Sequence, residues 1–206
     1  MKIAVVDYKM GNIGSVVNAI NSLGYDAEVA DSPAVFRRTS AIILPGVGAF
    51  RAGMKNLRSL GLIDVLSYQV NEKKKPFLGI CLGMQLLANS SEEFGICNGL
   101  GWIDGAVKRL DVSEKTQLPH VGWNELNRTQ QSDLFLELDQ GAHAYFDHSY
   151  HLVCGSEYIT STVEYNGTWT ASLQYENIFA TQFHPEKSQR VGLKMLRNFL
   201  NYVELH

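Results

Sequence analysis

"LGICLGMQLL", residues 78–87, decides the fold. Cys81 stands at its centre, with Gly79 two residues before it and Gly83 two residues after. The lead-in "PFLGI" (76–80) is short and apolar and reads as a buried strand. The tail, 82–89, carries apolar residues at helical spacing and reads as a helix. A cysteine on a strand-to-helix turn, relieved by glycine on both sides, repeats the logic of the G-x-S-x-G nucleophile elbow. Such a turn lifts the sulfur clear of the sheet and points a helix N-terminus at it, which favours the thiolate. The pentapeptide alone is equally compatible with a small buried core cysteine.

The elbow implies an α/β sheet, and the flanking chain supplies one. "KIAVVD" (2–7), "DAEVA" (26–30) and "SAIILP" (40–45) read as strands. Residues 13–23 read as a helix, and 51–73 as a helix broken at 61–62. Strands alternating with helices predict βαβ units and a mostly parallel, flavodoxin-like sheet flanked by helices. From 101 to 183 the chain becomes β-branched and aromatic, with turn signals such as Asn166-Gly167, and predicts antiparallel strands. Residues 188–204 have apolar positions 191, 193, 195, 196, 199, 200 and 203, a final amphipathic helix. Without repeat, linker or low-complexity tract, residues 1–206 are expected to form a single domain.

Composition narrows the function. Hydrophobic residues are 45% and charged residues 19%, with a formal net charge of −3. That balance fits a soluble globular chain and gives no electrostatic support for nucleic acid or an anionic membrane. No apolar run reaches the length of a membrane span, and "MKIAVVDY" is too short in apolar residues for a signal peptide. Three cysteines, at 81, 97 and 154, are too sparse for a disulfide framework. A reducing, cytoplasmic setting is expected.

A thiol nucleophile needs a base, and the base needs an orienting group. "FATQFHPEKS" (179–188) offers both, as His184 and Glu186 at the end of a predicted strand. Residues two apart in extended chain point the same way, and Pro185 holds His184 extended. Glu186 would then fix the imidazole tautomer and leave the other ring nitrogen for Cys81. An oxyanion hole is also required. The N–H of Leu82 is one donor, and the glycine loop "LPGVGAF" (44–50), with Gly46, Val47 and Gly48, is a candidate for the second. His143, His148 and His151 have no zinc spacing and read as strand and turn residues, so no metal is expected. No dinucleotide or P-loop motif is present, so no cofactor is expected.

"DYKMGNIGSV" (7–16), "PGVGAF" (45–50), "GMKNL" (53–57), "GICLGMQLL" (79–87), "GLGWIDG" (99–105), "PHVGWNEL" (119–126), "YFDHSY" (145–150) and "FHPEKS" (183–188) appear in this order. Together they resemble the class I (triad-type) glutamine amidotransferases. The closer resemblance is to the branch of glutaminase subunits of imidazole glycerol phosphate synthase. The elbow and His-Pro-Glu mark only the superfamily; "MGNIGS", "PGVG" and "PHxGWN" mark the branch.

The resemblance implies hydrolysis of L-glutamine to glutamate and ammonia. The ammonia would pass to a separate (β/α)₈-barrel synthase subunit, in a heterodimer making imidazole glycerol phosphate and AICAR in histidine biosynthesis. It casts Cys81 as nucleophile, His184 as base and Glu186 as orienter. Gln85 and the backbone of Ser149 and Tyr150 would hold the substrate, and "PGVG" would supply the second oxyanion N–H after rearranging. Asn12, Trp123, Asn124 and Lys187 would face the partner and the ammonia path. Three positions depart from the branch pattern. Asp147 replaces an apolar residue, Val121 a frequent methionine and Trp102 a frequent aliphatic residue. They leave the triad untouched and bear on which synthase is served. A paralogous branch donates ammonia to a barrel-type partner in surface-polysaccharide sugar modification. Two other classes remain, a stand-alone cysteine hydrolase and a non-catalytic thiol sensor. The complete Cys81–His184–Glu186 set argues against the sensor, which needs only a reactive thiol.

Overall fold

The computed structural model describes residues 1–113 and 116–206. Its first half is built as the apolar runs dictate. β1 (Lys2–Val6), β3 (Ala41–Gly46) and β4 (Phe77–Cys81) are almost wholly buried, and β2 (Asp26–Ala30) lies at the sheet edge. The eight-stranded sheet runs β2-β1-β3-β4-β14-β13-β12-β9. Its first five strands are parallel and the remaining three antiparallel. Continuous apolar strands belong in such a sheet because helices cover both of its faces.

β1 shows how the faces are filled. Ile3 and Val5 pack with Val16 and Ile20 of α1 (Ile13–Ser22) and with Met195, Leu196 and Phe199 of α5 (Gln189–Leu205). Ala4 and Val6 face Met54 and Leu57 of α2 (Phe50–Ser59) and Leu62 and Leu66 of α3 (Leu62–Ser67). Gly61, at φ 64°, separates α2 from α3, so the break predicted at 61–62 is present.

The chain departs from expectation in two places. The predicted helix 82–89 is a single turn, α4 (Leu82–Gln85), followed by β5 (Ala88–Ser91). The Leu86 carbonyl accepts from Leu100 N–H, and that of Leu87 accepts from Trp102 and Ile103. Pairing with β7 (Ile103–Arg109) overrides the helical pattern of "MQLLANS". The sulfur therefore faces one helical turn, and the helix dipole invoked from sequence is correspondingly short. The second departure is β14 (Ile178–Thr181), which pairs antiparallel with β13 (Thr168–Tyr175) but parallel with β4. This insertion carries the segment after β14 to the end of β4.

β5 and β7 join β6 (Cys97–Asn98) and β11 (Tyr150–Cys154) in a four-stranded sheet. β8 (His120–Glu125) and β10 (His143–His148) form a two-stranded antiparallel ribbon over the carboxyl ends of β3, β4 and β14. β9 (Asn127–Arg128) and β12 (Ile159–Glu164) complete the main sheet. No helix among the described residues is long and apolar enough to cross a membrane.

Candidate active site

Cys81 ends β4 at φ 53°, ψ −107°, a left-handed backbone that costs a non-glycine residue energy and is retained by its surroundings. Those surroundings are its flanking glycines. A Cβ on Gly83 would lie 1.8 Å from the Leu44 carbonyl oxygen, and one on Gly79 2.8 Å from that of Gly83. Only hydrogen fits at either position, so the elbow read from sequence is a packing requirement. The thiol is 6% exposed.

β14 lies beside β4 with Thr181 opposite Ile80, which sets Gln182 next to Cys81; its Nε2 is 3.7 Å from Sγ. His184 lies three residues beyond the strand end and Glu186 within a 3₁₀ turn over Pro185–Lys187. The carboxylate thus meets the imidazole by a turn, not by the extended alternation expected from sequence. His184 Nδ1 donates to Glu186 Oε1 over 2.8 Å, with the side chains 2% and 4% exposed. The turn is held from three sides. His184 N–H donates to Tyr145 O, Ser188 Oγ donates to His184 O, and Tyr145 N–H donates to Ser188 Oγ. α5 presses on it so closely that a Cβ on Gly192 would stand 1.9 Å from Pro185 O.

The remaining nitrogen, His184 Nε2, is buried and finds no hydrogen-bond partner among the described residues. Burial works to lower the imidazole pKa; the neighbouring Cys81 sulfur and Glu186 carboxylate outweigh it and raise the pKa to about 10. The thiol itself contacts the Asp147 carbonyl at 3.9 Å, so it influences the ring without a hydrogen bond of normal geometry between them.

The sulfur opens into a pocket of about 450 Å³. Val47 and Gly48 on one side and Ser149 and Tyr150 on the other line it, over a floor of Cys81, Leu82 and Gln85. Gly46 belongs to β3, directly opposite Cys81, so Val47, Gly48 and Ala49 of the glycine loop border the cavity and Gly46 does not. Gly48 has φ 100°, and Val47 is 42% exposed. Gln85 is buried and donates from Nε2 to Tyr150 O (2.8 Å) and Gln182 Oε1 (3.1 Å).

Of the candidate partner-facing residues, Trp123 is half-exposed and stacks edge-on with Tyr145, over which Lys187 Nζ sits at 5.5 Å. Asn12 caps α1, accepting from Ser15 N–H, and Asn124 donates to Glu164 O. Asp147 and Val121 are exposed cross-strand neighbours on β10 and β8. Trp102 is partly buried, donating to Ser67 Oγ and meeting Phe77 edge-on.

Four residues of the site escape a sequence reading. Gln182 shares strand parity with His184, a usable signal. Glu93 and Phe94 line the pocket, and Glu93 accepts from Phe50 N–H at the start of α2; nothing local marks them. Tyr8, wholly buried and with no hydrogen-bond partner for its hydroxyl among the described residues, lies against Gly46. His143 is exposed at the far end of β10, away from buried His148 and His151. Among the described residues, no group of three or more His, Cys, Asp or Glu side chains is placed to hold a metal. Three larger open grooves, of about 820, 720 and 510 Å³, are lined by neither Cys81 nor His184.

The "Glutamine amidotransferase class-I" family model matches residues 4–203. Imidazole glycerol phosphate synthase subunit HisH 2 of Vibrio vulnificus (strain YJ016) is 48% identical, covering 100% of this chain and 96% of that protein. Subunit HisH 1 of Campylobacter jejuni (strain RM1221) is 45% identical over 96% and 98% of the two chains. A chain in the structure of PurLQS from Thermotoga maritima superposes with a TM-score of 0.73 at 20% identity, covering 98% of each; this likeness concerns the fold. The chain belongs to the class I glutamine amidotransferases and, within them, to the HisH subunits of imidazole glycerol phosphate synthase.

Proposed function

We propose that residues 1–206 act as one glutaminase domain in which Cys81 attacks the side-chain amide carbon of L-glutamine. The carrying observation is the buried His184–Glu186 pair, with Nε2 free, brought to Cys81 by β14. His184 takes the thiol proton, and Glu186 steadies the resulting imidazolium. The sulfur–carbon bond forms as the carbonyl π pair moves to oxygen, where Leu82 N–H and an N–H from Val47 or Gly48 receive it. Collapse expels ammonia, which takes its proton from His184, and leaves a γ-glutamyl thioester. Water then attacks with His184 again as base, the sulfur–carbon bond breaks, and the proton on His184 returns to Cys81 as glutamate leaves. Gln85 and the Ser149–Tyr150 backbone hold the α-amino and carboxylate groups. These are all groups of the chain itself, so the scheme calls on no cofactor.

The ammonia goes to a (β/α)₈-barrel synthase subunit in a cytoplasmic heterodimer that makes imidazole glycerol phosphate and AICAR for histidine biosynthesis. Exposed Asn12 and Trp123, with partly buried Asn124 and Lys187, meet that partner. The HisH names of relatives matching the whole chain support this acceptor. A second reading, ammonia for surface-polysaccharide sugar modification, draws on the departures at Asp147, Val121 and Trp102, the first two of which face each other across β10 and β8. Restored growth without histidine in a strain lacking its own glutaminase subunit supports the histidine pathway; growth only on added histidine favours the second reading. Full turnover by the isolated chain would instead favour a stand-alone cysteine hydrolase.

A further inference from the structure

His120 lies outside the triad and the pocket lining, yet it is 2% exposed and held on two sides. Its ring stacks on Phe146 at 4.8 Å and on Tyr165 at 4.0 Å, each within 20° of parallel. Tyr165 is itself anchored by its hydroxyl, which donates to Gln117 O over 2.7 Å. A sandwiched imidazole cannot turn freely, so its nitrogens have fixed aims. Nδ1 is 3.0 Å from Nε2 of His148, the residue directly opposite on β10.

Hydrogen-bond valence then sets every proton. His148 Nδ1 is 2.9 Å from Tyr150 O, and a carbonyl only accepts, so Nδ1 carries hydrogen. In a neutral ring Nε2 is then the acceptor, so His120 donates from Nδ1. Burial favours the neutral rings, holding His120 at about 4 and His148 at about 3. The titratable groups around His148 are His120, His151 and His184, with Asp147, Cys81 and Glu93 on the same pocket wall or floor. A charge on His148 would oppose the imidazolium that forms at His184.

Tyr150 O also accepts from Gln85, which donates onward to Gln182, whose Nε2 points at Cys81 Sγ. We propose that His120 is a positioning residue: by donating to Nε2 it locks the tautomer that the Tyr150 carbonyl requires of His148, and so holds in place the Tyr150 carbonyl and the Gln85 side chain that grip the substrate. The proposal rests on the glutaminase reading for its kinetic consequence only. The link starts on β8, the strand that also carries Val121 and Trp123, so the outer ribbon and the substrate grip share one hydrogen-bonded path.

The test has two arms. In long-range ¹H–¹⁵N spectra of the histidine-labelled full chain, His148 should carry its proton on Nδ1 alone at pH 7. It should stay neutral through pH 5.5. In the complex with the synthase partner, His120→Phe keeps the stack and removes the donor. It should raise KM for glutamine roughly five- to tenfold, the worth of one buried hydrogen bond, with kcat within about twofold. His120→Asn, whose amide N–H can replace Nδ1–H, should recover most of that loss. A proton on His148 Nε2, ordinary titration near 6.5, or an unchanged KM in folded His120→Phe would each overturn the proposal. The spectroscopic arm stands even if wild type shows no glutaminase, which would refute the activity reading instead.

Discussion

His184 Nδ1 and Glu186 Oε1 lie 2.8 Å apart with both side chains closed to solvent, and the opposite ring nitrogen has no partner among the described residues. The carboxylate consumes one nitrogen of the ring and so defines the direction in which the other can move a proton. In the proposed mechanism, removing Glu186 alters orientation, whereas removing His184 deletes the base. Glu186→Gln should lower kcat in the partner complex roughly a thousandfold, and His184→Ala at least about ten times more. Because triad members act as a unit, the double variant should be only slightly worse than His184→Ala. Losses that multiply independently would place the action of Glu186 elsewhere.

Cys81→Ala should abolish glutamine hydrolysis and leave the fold in place, since the side chain is small and the elbow is set by its glycines. Cys81→Ser keeps the shape but presents a hydroxyl that is not appreciably ionised, and should be inactive as well. Circular dichroism and a partner-complex glutaminase assay check both halves. Near-normal turnover in the alanine variant would end the mechanism.

Gly83→Ala tests the elbow itself. Its Cβ would meet the Leu44 carbonyl at 1.8 Å, and the obstacle is sheet backbone, which cannot rotate away. Destabilisation of at least about 3 kcal/mol is expected, the upper end of ordinary overpacking costs. A urea midpoint equal to wild type would show that β3 and α4 can separate without penalty.

The glycine loop predicts control by the partner. Val47 and Gly48 border the pocket, and Gly48 at φ 100° lets a peptide plane turn at little cost. One missing oxyanion donor lowers rate roughly a hundred- to a thousandfold. The isolated chain should therefore be nearly silent, and the complex with ligand in the partner at least about a hundredfold faster. Labelling of Cys81 by a glutamine-like electrophile should accelerate in parallel. Equal turnover alone and in complex would refute the switch.

Buried histidines predict acid sensitivity. Burial lowers His120, His148 and His151 to about 4, 3 and 4, with Lys108 adding to the effect at His151. The unfolded chain binds more protons between those values and the ordinary 6.5, so their contribution is full above 6.5 and is lost as pH falls towards 4. Each histidine steepens the decline by about 1.4 kcal/mol per pH unit. His184 runs the other way: its raised pKa contributes below 6.5 and is lost as pH rises towards 10. Urea midpoints should drop steeply from pH 6.5 to 4.5, and His151→Gln should remove about a third of that slope. A flat profile would mean that these rings are protonated in the folded protein.

Sequence by itself determined the parallel half of the fold, because strands buried on both faces must be apolar throughout, as "IAVV" and "IIL" are. It also pointed to the elbow, through the two glycines around Cys81, and to His184 and Glu186 as its candidate partners. Helix α5 was legible from its 3.6-residue period. Tertiary structure decided what depends on pairing between distant segments. The carbonyls of Leu86 and Leu87 bond to residues 100–103, so α4 stops after one turn where local propensity would continue it. β14 enters the sheet parallel to β4 although its neighbours in sequence form antiparallel strands, and that placement alone carries His184 to Cys81. The His120–His148 contact joins residues 28 apart, and Gln85 reaches Tyr150 and Gln182 from 65 and 97 residues away. No local pattern encodes such contacts. They exist because strand register fixes which side chains face one another, and register is a property of the assembled sheet.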